Sequence, residues 1–294
     1  MKRSKIPIDF DAMSRQAYPV SLSPTTSPRP VRIGIFDSGV GGLSVTRAIQ
    51  ARLPHAELLY AADTAYAPYG DRTEDFLCDR SERIAGFLRQ QGAQMIVVAC
   101  NTATAAAVAR LRAGAPELPV VGVEPGVKPA VALSAAHRIG VLATTRTLAS
   151  EKFRKLAEAH AEGATLVLQA CPGLADAIEA ADAQGSGIDV LVERYSAPLR
   201  DAGVDVAVLG CTHYPFARAL FERALPGVQL VDTADAIARQ TARFADELVA
   251  KGDADEAPDV RPALRAWSSG SPHVLANFAQ RWLDLRVDVQ DMHC

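Results

Sequence analysis

Apolar positions along the chain come in two patterns. Short runs rich in Val, Ile, Leu and Ala stop abruptly at a polar residue, and longer stretches between them carry apolar residues at helical spacing. The runs at 31–36, 57–62, 96–100, 119–123, 138–142, 165–169, 207–211 and 229–232 are largely continuous rather than alternating, which marks strands covered on both faces, as in parallel sheets. Helices are predicted at 45–52, 73–91, 104–112, 129–136 and 150–160, around Glu179, and at 190–202, 216–224 and 233–250. Within 73–91, Phe76, Leu77, Ile84, Phe87 and Leu88 fall on one face, and Cys78 reads as core packing. A strand at 264–268, a helix at 273–282 and a strand at 287–290 follow and are expected to return to the first half of the fold. This alternation predicts an α/β fold of doubly wound parallel sheets.

Two pairs of segments repeat. Ile96-Val97-Val98-Ala99-Cys100-Asn101-Thr102 returns in altered form as Ala207-Val208-Leu209-Gly210-Cys211-Thr212-His213, with the cysteines 111 residues apart. Ile33-Gly34-Ile35-Phe36-Asp37-Ser38-Gly39 has the outline of Ile139-Gly140-Val141-Leu142-Ala143-Thr144-Thr145, at an offset of 106. Two half-chains of one plan account for both, so two pseudo-symmetric domains are expected. Functional groups in open parallel sheets collect outside the carboxyl ends of the strands. Halves that face one another across those ends would bring the two thiols together and put an active site at the domain interface. The Pro- and Gly-rich segment 124–129 suits a crossover between the halves. The expected division is a flexible leader at 1–30, a first α/β domain of 31–125 plus 236–294, and a second of 126–235, with a charged, Pro-containing linker at 251–262.

Composition narrows the function. The 294 residues suffice for two domains, and 49% hydrophobic content supports two cores. The formal net charge is −3 without a long Lys/Arg run, which argues against nucleic acid as a partner. No apolar stretch approaches the roughly 20 residues of a membrane span. The leader is rich in Ser and Pro and lacks the apolar core of an export signal, so a cytoplasmic protein is expected. Cys78, Cys100, Cys171, Cys211 and Cys294 are widely spaced and include no C-x-x-C pair, which points to reduced thiols rather than disulfides or a zinc site.

The matched thiols carry the chemistry. A thiolate is both nucleophile and base, and its pKa of about 8.5 falls near cations or amide dipoles. One cysteine with a histidine would suggest acyl transfer. Two in matched settings suggest a carbon held between them, deprotonated on one face and protonated on the other. His213, two residues past Cys211, and Asp37, ending the strand expected beside that of Cys100, are the candidate proton-handling partners. The α-proton of an amino acid is a weak acid, so its carbanion needs polarisation and desolvation. Pyridoxal phosphate would act through a lysine Schiff base, but the thiol-bearing loops hold no lysine; neither cofactor nor metal is expected. Several features admit two readings. Gly39, Gly41 and Gly42 either aim amides at an anion or form a tight turn. Tyr66 and Tyr69 either cover a pocket or pack on its rim, and the hydroxyls of 144–150 either meet a ligand or cap a helix. Cys171, also just past a strand, qualifies as a third reactive thiol.

With these motifs assembled, the chain resembles the glutamate racemases. The matching segments are Gly34-Ile35-Phe36-Asp37-Ser38-Gly39-Val40-Gly41-Gly42-Leu43, Asp63 through Pro68-Tyr69-Gly70, Ala99-Cys100-Asn101-Thr102-Ala103-Thr104-Ala105, Gly122-Val123-Glu124-Pro125 and Leu209-Gly210-Cys211-Thr212-His213-Tyr214-Pro215, together spanning about 31–235. The resemblance implies a cofactor-free racemase with substrate between two α/β domains, Cys100 handling the proton of D-glutamate and Cys211 that of L-glutamate. It also implies that Asp37, Ser38, Tyr69, Gly70, Asn101, Thr102, Thr212 and His213 meet the substrate, with Asp37 and His213 assisting the thiols. Thr144 and Thr147 match the hydroxyl loop of the second domain. The implied role is supply of D-glutamate for peptidoglycan, hence cell-wall biogenesis and cell shape, with glutamate as the partner and a homodimer left open. Gly173-Leu174 after Cys171-Pro172 departs from the bulkier sequence of many members, which leaves open whether Glu179 joins the site. The competing readings are a racemase for aspartate or a related amino acid, a binding protein with an inherited pocket, as in racemase-like proteins that bind gyrase, and a thiol hydrolase.

Overall fold

The computed structural model describes residues 31–180, 187–251 and 264–294. The expectations for the leader at 1–30 and for nearly all of the linker lie outside the described residues. Strands β1 (Arg32–Asp37), β2 (Glu57–Ala62), β3 (Met95–Val98) and β4 (Val120–Gly122) share one sheet; β5 (Arg138–Ala143), β6 (Thr165–Ala170), β7 (Val206–Leu209) and β8 (Gln229–Val231) form a second. Strands β9 (Leu264–Ser268) and β10 (Val289–Asp291) extend the first sheet, giving the orders β10-β9-β2-β1-β3-β4 and β6-β5-β7-β8. Every pairing is parallel. The order β2-β1-β3-β4 is reproduced by β6-β5-β7-β8, so the repeat in the sequence is a repeat of topology. The thiol strands β3 and β7 are buried along their whole length, which is why their sequences are unbroken apolar runs.

The helices are α1 (Leu43–Arg52), α2 (Glu74–Gln90), α3 (Asn101–Gly114), α4 (Val127–Leu133), α5 (Thr145–Ala149), α6 (Glu151–His160), α7 (Leu174–Ala180), α8 (Ile188–Asp201), α9 (Arg218–Ala224), α10 (Ala234–Lys251) and α11 (Pro272–Leu283). Two depart from expectation in a way that bears on the site. Helix α3 begins immediately after Cys100 rather than at 104, so the thiol sits at a helix N-terminus. Helix α4 begins at Val127 and carries Pro129 in its first turn, where the missing N–H would have had no intrahelical acceptor. It ends at Leu133 because Asp205 collects the next polar groups, Ser134 Oγ at 2.5 Å and the Ala136 N–H at 2.7 Å.

One buried cluster runs from the first sheet into the second, including Ile35, Leu43 and Ile49 on one side and Leu209, Tyr214 and Phe221 on the other. Helix α11, which leads into β10 of the first sheet, joins it. Phe278 and Trp282 pack edge-on against Phe216, a few residues past Cys211, at centroid distances of 4.9 and 5.5 Å. Aromatic pairs in this geometry contribute about 0.5–1.5 kcal/mol beyond the area they bury. No described helix is long and apolar enough to cross a membrane.

Candidate active site

Register places the chemistry. Phe36 pairs with Val98 and Leu142 with Leu209, so Asp37 and Cys100 leave adjacent strand ends of one sheet while Thr144 and Cys211 leave adjacent ends of the other. Cys100 and Cys211 line a single cleft of about 440 Å³, its open mouth included. Ser38, Tyr69, Gly70, Asn101, Thr102, Thr144, Glu179, Thr212 and His213 share its wall. Asp37 and Thr147, also expected here, stand behind that wall and act on it through hydrogen bonds.

Cys100 is 5% exposed, with Sγ 3.7 Å from Ser38 Oγ. Burial, and after it the charge of Asp37, push this thiol far above its usual range; the Ala103 N–H in the first turn of α3 and the Ser38 hydroxyl pull the other way without prevailing. Asp37 is completely buried and accepts from the Ser38 N–H at 2.6 Å and from Thr212 Oγ1 at 2.9 Å. The second of these bonds joins the two halves directly.

Around Cys211 the partners differ. His213 Nδ1 lies 3.8 Å from Cys211 Sγ, and Nε2 lies 3.1 Å from Glu179 Oε2. Burial alone would depress the imidazole, but its hydrogen bonds to Cys211 and Glu179 outweigh that and hold it well above its ordinary 6.5. The imidazole stands between a sulfur and a carboxylate. Glu179 therefore belongs to the site. Asp176, one turn earlier on α7 and not anticipated, also lines the cleft, and burial raises its carboxyl. Its spacing of three residues from Glu179 puts both on one helix face, a signal present in the sequence.

The segment between β1 and α1 is a tight turn, as one of the two readings expected, closed by Leu43 N–H on Val40 O at 3.1 Å and Ser44 N–H on Gly41 O at 3.0 Å. Gly39, Gly41 and Gly42 nevertheless lack the positive φ that would make a tight turn demand glycine. Space is the reason. A Cβ on Gly39 would stand 2.6 Å from Glu179 Oε2, and one on Gly41 would stand 2.6 Å from His213 Cε1 and 2.7 Å from Thr212 Oγ1. The first half is cut away so that the acid–base groups of the second can enter.

Hydroxyls make a second link between the halves. Thr144 caps α5 by accepting from the Thr147 N–H, and its hydroxyl also meets Thr102 Oγ1 at 3.1 Å, so capping and cleft-lining coexist. Thr147 is buried beneath, 2.9 Å from Thr144 Oγ1 and 3.4 Å from Thr102 Oγ1. Asn101 Oδ1 is buried without a hydrogen-bond partner among the described residues, on a side chain that lines the cleft. Of the two loop tyrosines only Tyr69 reaches the wall; Tyr66 packs against Phe76. Cys171 is buried outside the cleft lining with Sγ against Gln169 O, and Cys78 donates to Ala106 O from α2, which leaves two thiols for chemistry there. Among the described residues no group of His, Cys, Asp and Glu is arranged to hold a metal ion. The arrangement can bind a small polar molecule bearing carboxylates and offer it one proton donor and one acceptor from opposite halves.

Comparison with known proteins agrees in fold and extent. The glutamate racemase of Pseudomonas aeruginosa is 47% identical over 243 residues, covering 82% of this chain and 89% of that protein. That of Pseudomonas putida is 46% identical over 250 residues, covering 84% and 92%. Among solved structures, glutamate racemase isoform RacE1 from Bacillus anthracis superposes with a TM-score of 0.79 at 32% identity, covering 90% of this chain and 97% of that one. Escherichia coli glutamate racemase, solved with L-glutamate and the activator UDP-MurNAc-ala, gives 0.74 at 31% identity, covering 90% and 98%. The model of the Asp/Glu/hydantoin racemase family matches residues 33–241, and with the two-thiol cleft in a doubled parallel fold, this chain belongs to that family.

Proposed function

We propose that this protein interconverts L- and D-glutamate by passing the α-proton between Cys211 and Cys100, and that it supplies D-glutamate for peptidoglycan. The observation that carries the reading is the presence of two thiols, one from each half of a repeated fold, on one cleft wall. Relatives at 46–47% identity are glutamate racemases, and one structural neighbour holds L-glutamate. The reading takes 31–125 with 236–294 and 126–235 as the two domains that meet at the substrate.

From L-glutamate, Cys211 as thiolate removes the α-proton and the electron pair moves into the α-carboxylate. The Cys100 thiol then delivers its proton to the opposite face. Cys211 ends as thiol and Cys100 as thiolate, and the reverse reaction exchanges the roles. The surroundings suit these roles: His213 Nδ1 lies 3.8 Å from Cys211 Sγ, placed to exchange its proton, while burial and then the charge of Asp37 favour the thiol form of Cys100. Ser38, Asn101, Thr102, Thr144 and Thr212 offer hydroxyl and amide partners for two carboxylates and an ammonium. Positioned acid–base groups of this kind contribute about 10²–10⁴-fold each.

The test is circular dichroism of L-glutamate with enzyme alone, comparing wild type with Cys100→Ser and Cys211→Ser. Wild type should abolish the signal and each variant should fail. In deuterated water the new enantiomer should carry deuterium at Cα while remaining substrate carries almost none at early times; equal labelling of both pools would mean one exchanging base and would end the two-thiol reading. Preferential turnover of aspartate would overturn the substrate assignment. Failure to restore growth of a bacterial strain that requires D-glutamate would overturn the peptidoglycan role.

A further inference from the structure

The wall formed by Pro68, Tyr69 and Gly70 hangs on a buried ion pair that bonds neither thiol of the cleft. Asp63, the first residue past β2, is fully buried, and Arg80 on α2 is 5% exposed. Arg80 grips the carboxylate with a two-pronged fork, Nη2 on Oδ1 at 2.6 Å and Nε on Oδ2 at 3.0 Å. The Tyr69 hydroxyl donates to the same Oδ2. Burial first, and then the charge of Asp63, push the phenol far above its ordinary range, so Tyr69 remains a neutral donor. The guanidinium has three further contacts: its Cζ lies 4.0 Å from the centroid of Tyr66, Nη1 donates to the Cys294 carbonyl at 2.7 Å, and Nη2 reaches Cys294 Sγ at 3.8 Å. One cation thus gathers both ends of the 63–71 segment and the strand end beyond β10.

We propose that Arg80 is a positioning residue for substrate binding: through Asp63 and Tyr69 it holds the 63–71 segment in the shape that completes the cleft. Three observations point this way. A rigid planar fork satisfies both carboxylate oxygens and leaves Nη1 for the Cys294 carbonyl, a geometry that a lysine ammonium cannot reproduce. Among the described residues no other cation is bonded to the carboxylate, so the order of this wall depends on the one side chain. Finally, the segment it holds is short-turn backbone, two single 3₁₀ turns at Thr64–Tyr66 and Tyr69–Asp71, with little intrinsic stability of its own. The assignment rests on glutamate turnover at this cleft, as proposed above.

Arg80→Lys is the test, because it keeps the charge beside Asp63 while losing the fork. The reacting thiols are untouched, so KM for glutamate should rise about tenfold while kcat stays within about threefold, the signature of lost binding shared by ground and transition states. Tyr69→Phe, which leaves the ion pair intact, should shift KM in the same sense. A readout that needs no turnover is trypsin cleavage after Arg72, an exposed residue bonded to Tyr69 O and Tyr66 O. Cleavage there should be faster in Arg80→Lys, and glutamate should slow it in wild type. A KM within twofold of wild type in both variants, whatever the thermal midpoint does, overturns the proposal. If wild type turns over no glutamate the racemase reading falls, and the proteolysis alone then decides: unchanged cleavage at Arg72 in Arg80→Lys rejects Arg80 as the organiser of the segment.

Discussion

Adding one methyl group at Gly41 should uncouple the acid–base pair of the second half without touching it chemically. In Gly41→Ala the new Cβ would stand 2.6 Å from His213 Cε1, closer still to its Nδ1, and 2.7 Å from Thr212 Oγ1. Carbon contacts settle at about 3.5–4.0 Å, so roughly 1 Å of movement is required. His213 is only 4% exposed and is held by Glu179 at 3.1 Å, which leaves it two responses. The imidazole slides off Cys211, or the halves separate and break the Thr212–Asp37 bond. A misplacement of this size lowers turnover by about 10²-fold. Overpacking should destabilise by about 1–3 kcal/mol, which leaves a folded protein. The assay is racemisation by circular dichroism alongside thermal unfolding, with Gly86→Ala as the control. Nothing lies within 4 Å of a Cβ at Gly86, in the interior of α2, so that variant should keep its rate and gain about 0.5–1 kcal/mol. A Gly41→Ala enzyme retaining more than about a third of wild-type activity would refute the reasoning, because the cost of ~1 Å would then have been absorbed without disturbing the pair.

Two further outcomes follow from the same geometry. His213 has a native pKa raised above its ordinary 6.5, so the native state holds this proton more tightly than the unfolded chain does. Its contribution to stability is complete below about pH 6.5 and is lost as pH rises through the native value. The melting temperature of wild type should therefore fall relative to His213→Gln between about pH 6 and pH 9; a gap that widens in wild type's favour would contradict the assigned direction. Phe278→Ala removes a ring that is 3% exposed and packed on Phe216 and Trp282. Urea unfolding should show a loss of about 3–5 kcal/mol, and a loss under about 1 kcal/mol would mean that α11 does not brace the segment after Cys211.

The strands ending at Cys100 and Cys211 are legible because a strand covered on both faces must be an unbroken apolar run, and a cysteine closing two such runs is conspicuous. The start of α3 is not. Asn101, Thr102 and Thr104 rank low as helix formers, so periodicity places the helix later. The first turn needs little propensity, however, and Thr104 is satisfied by tertiary bonds, donating to Val98 O at 3.1 Å and accepting from the Val123 N–H at 3.0 Å. Arg80 did leave a mark. It stands three residues after Leu77 and four before Ile84, inside the apolar stripe of α2. A charge in that position has to be buried, and a buried charge requires a partner. Only the partner's identity was hidden, because Asp63 arrives from the end of β2, 17 positions earlier.

Distance in the sequence explains the remaining gap, and the glycine turn shows how. Glycine is selected for two physical reasons, a positive φ or the absence of Cβ, and the letter is the same for both. The backbone at Gly39, Gly41 and Gly42 needs no positive φ, so only the second reason is left. What occupies the vacated space is Glu179, Thr212 and His213 around Gly39 and Gly41, more than a hundred residues away, and Asp37 and Tyr60 around Gly42. The tight turn is therefore also a seat for side chains of the other half. The same holds for Asp37, whose partner Thr212 is 175 positions on. Each half carries a strand-end thiol with polar neighbours of its own, Asp37 and Ser38 beside Cys100 and His213 with Glu179 beside Cys211, and it is the Thr212–Asp37 bond and the glycine seat that join the two sets across the repeat.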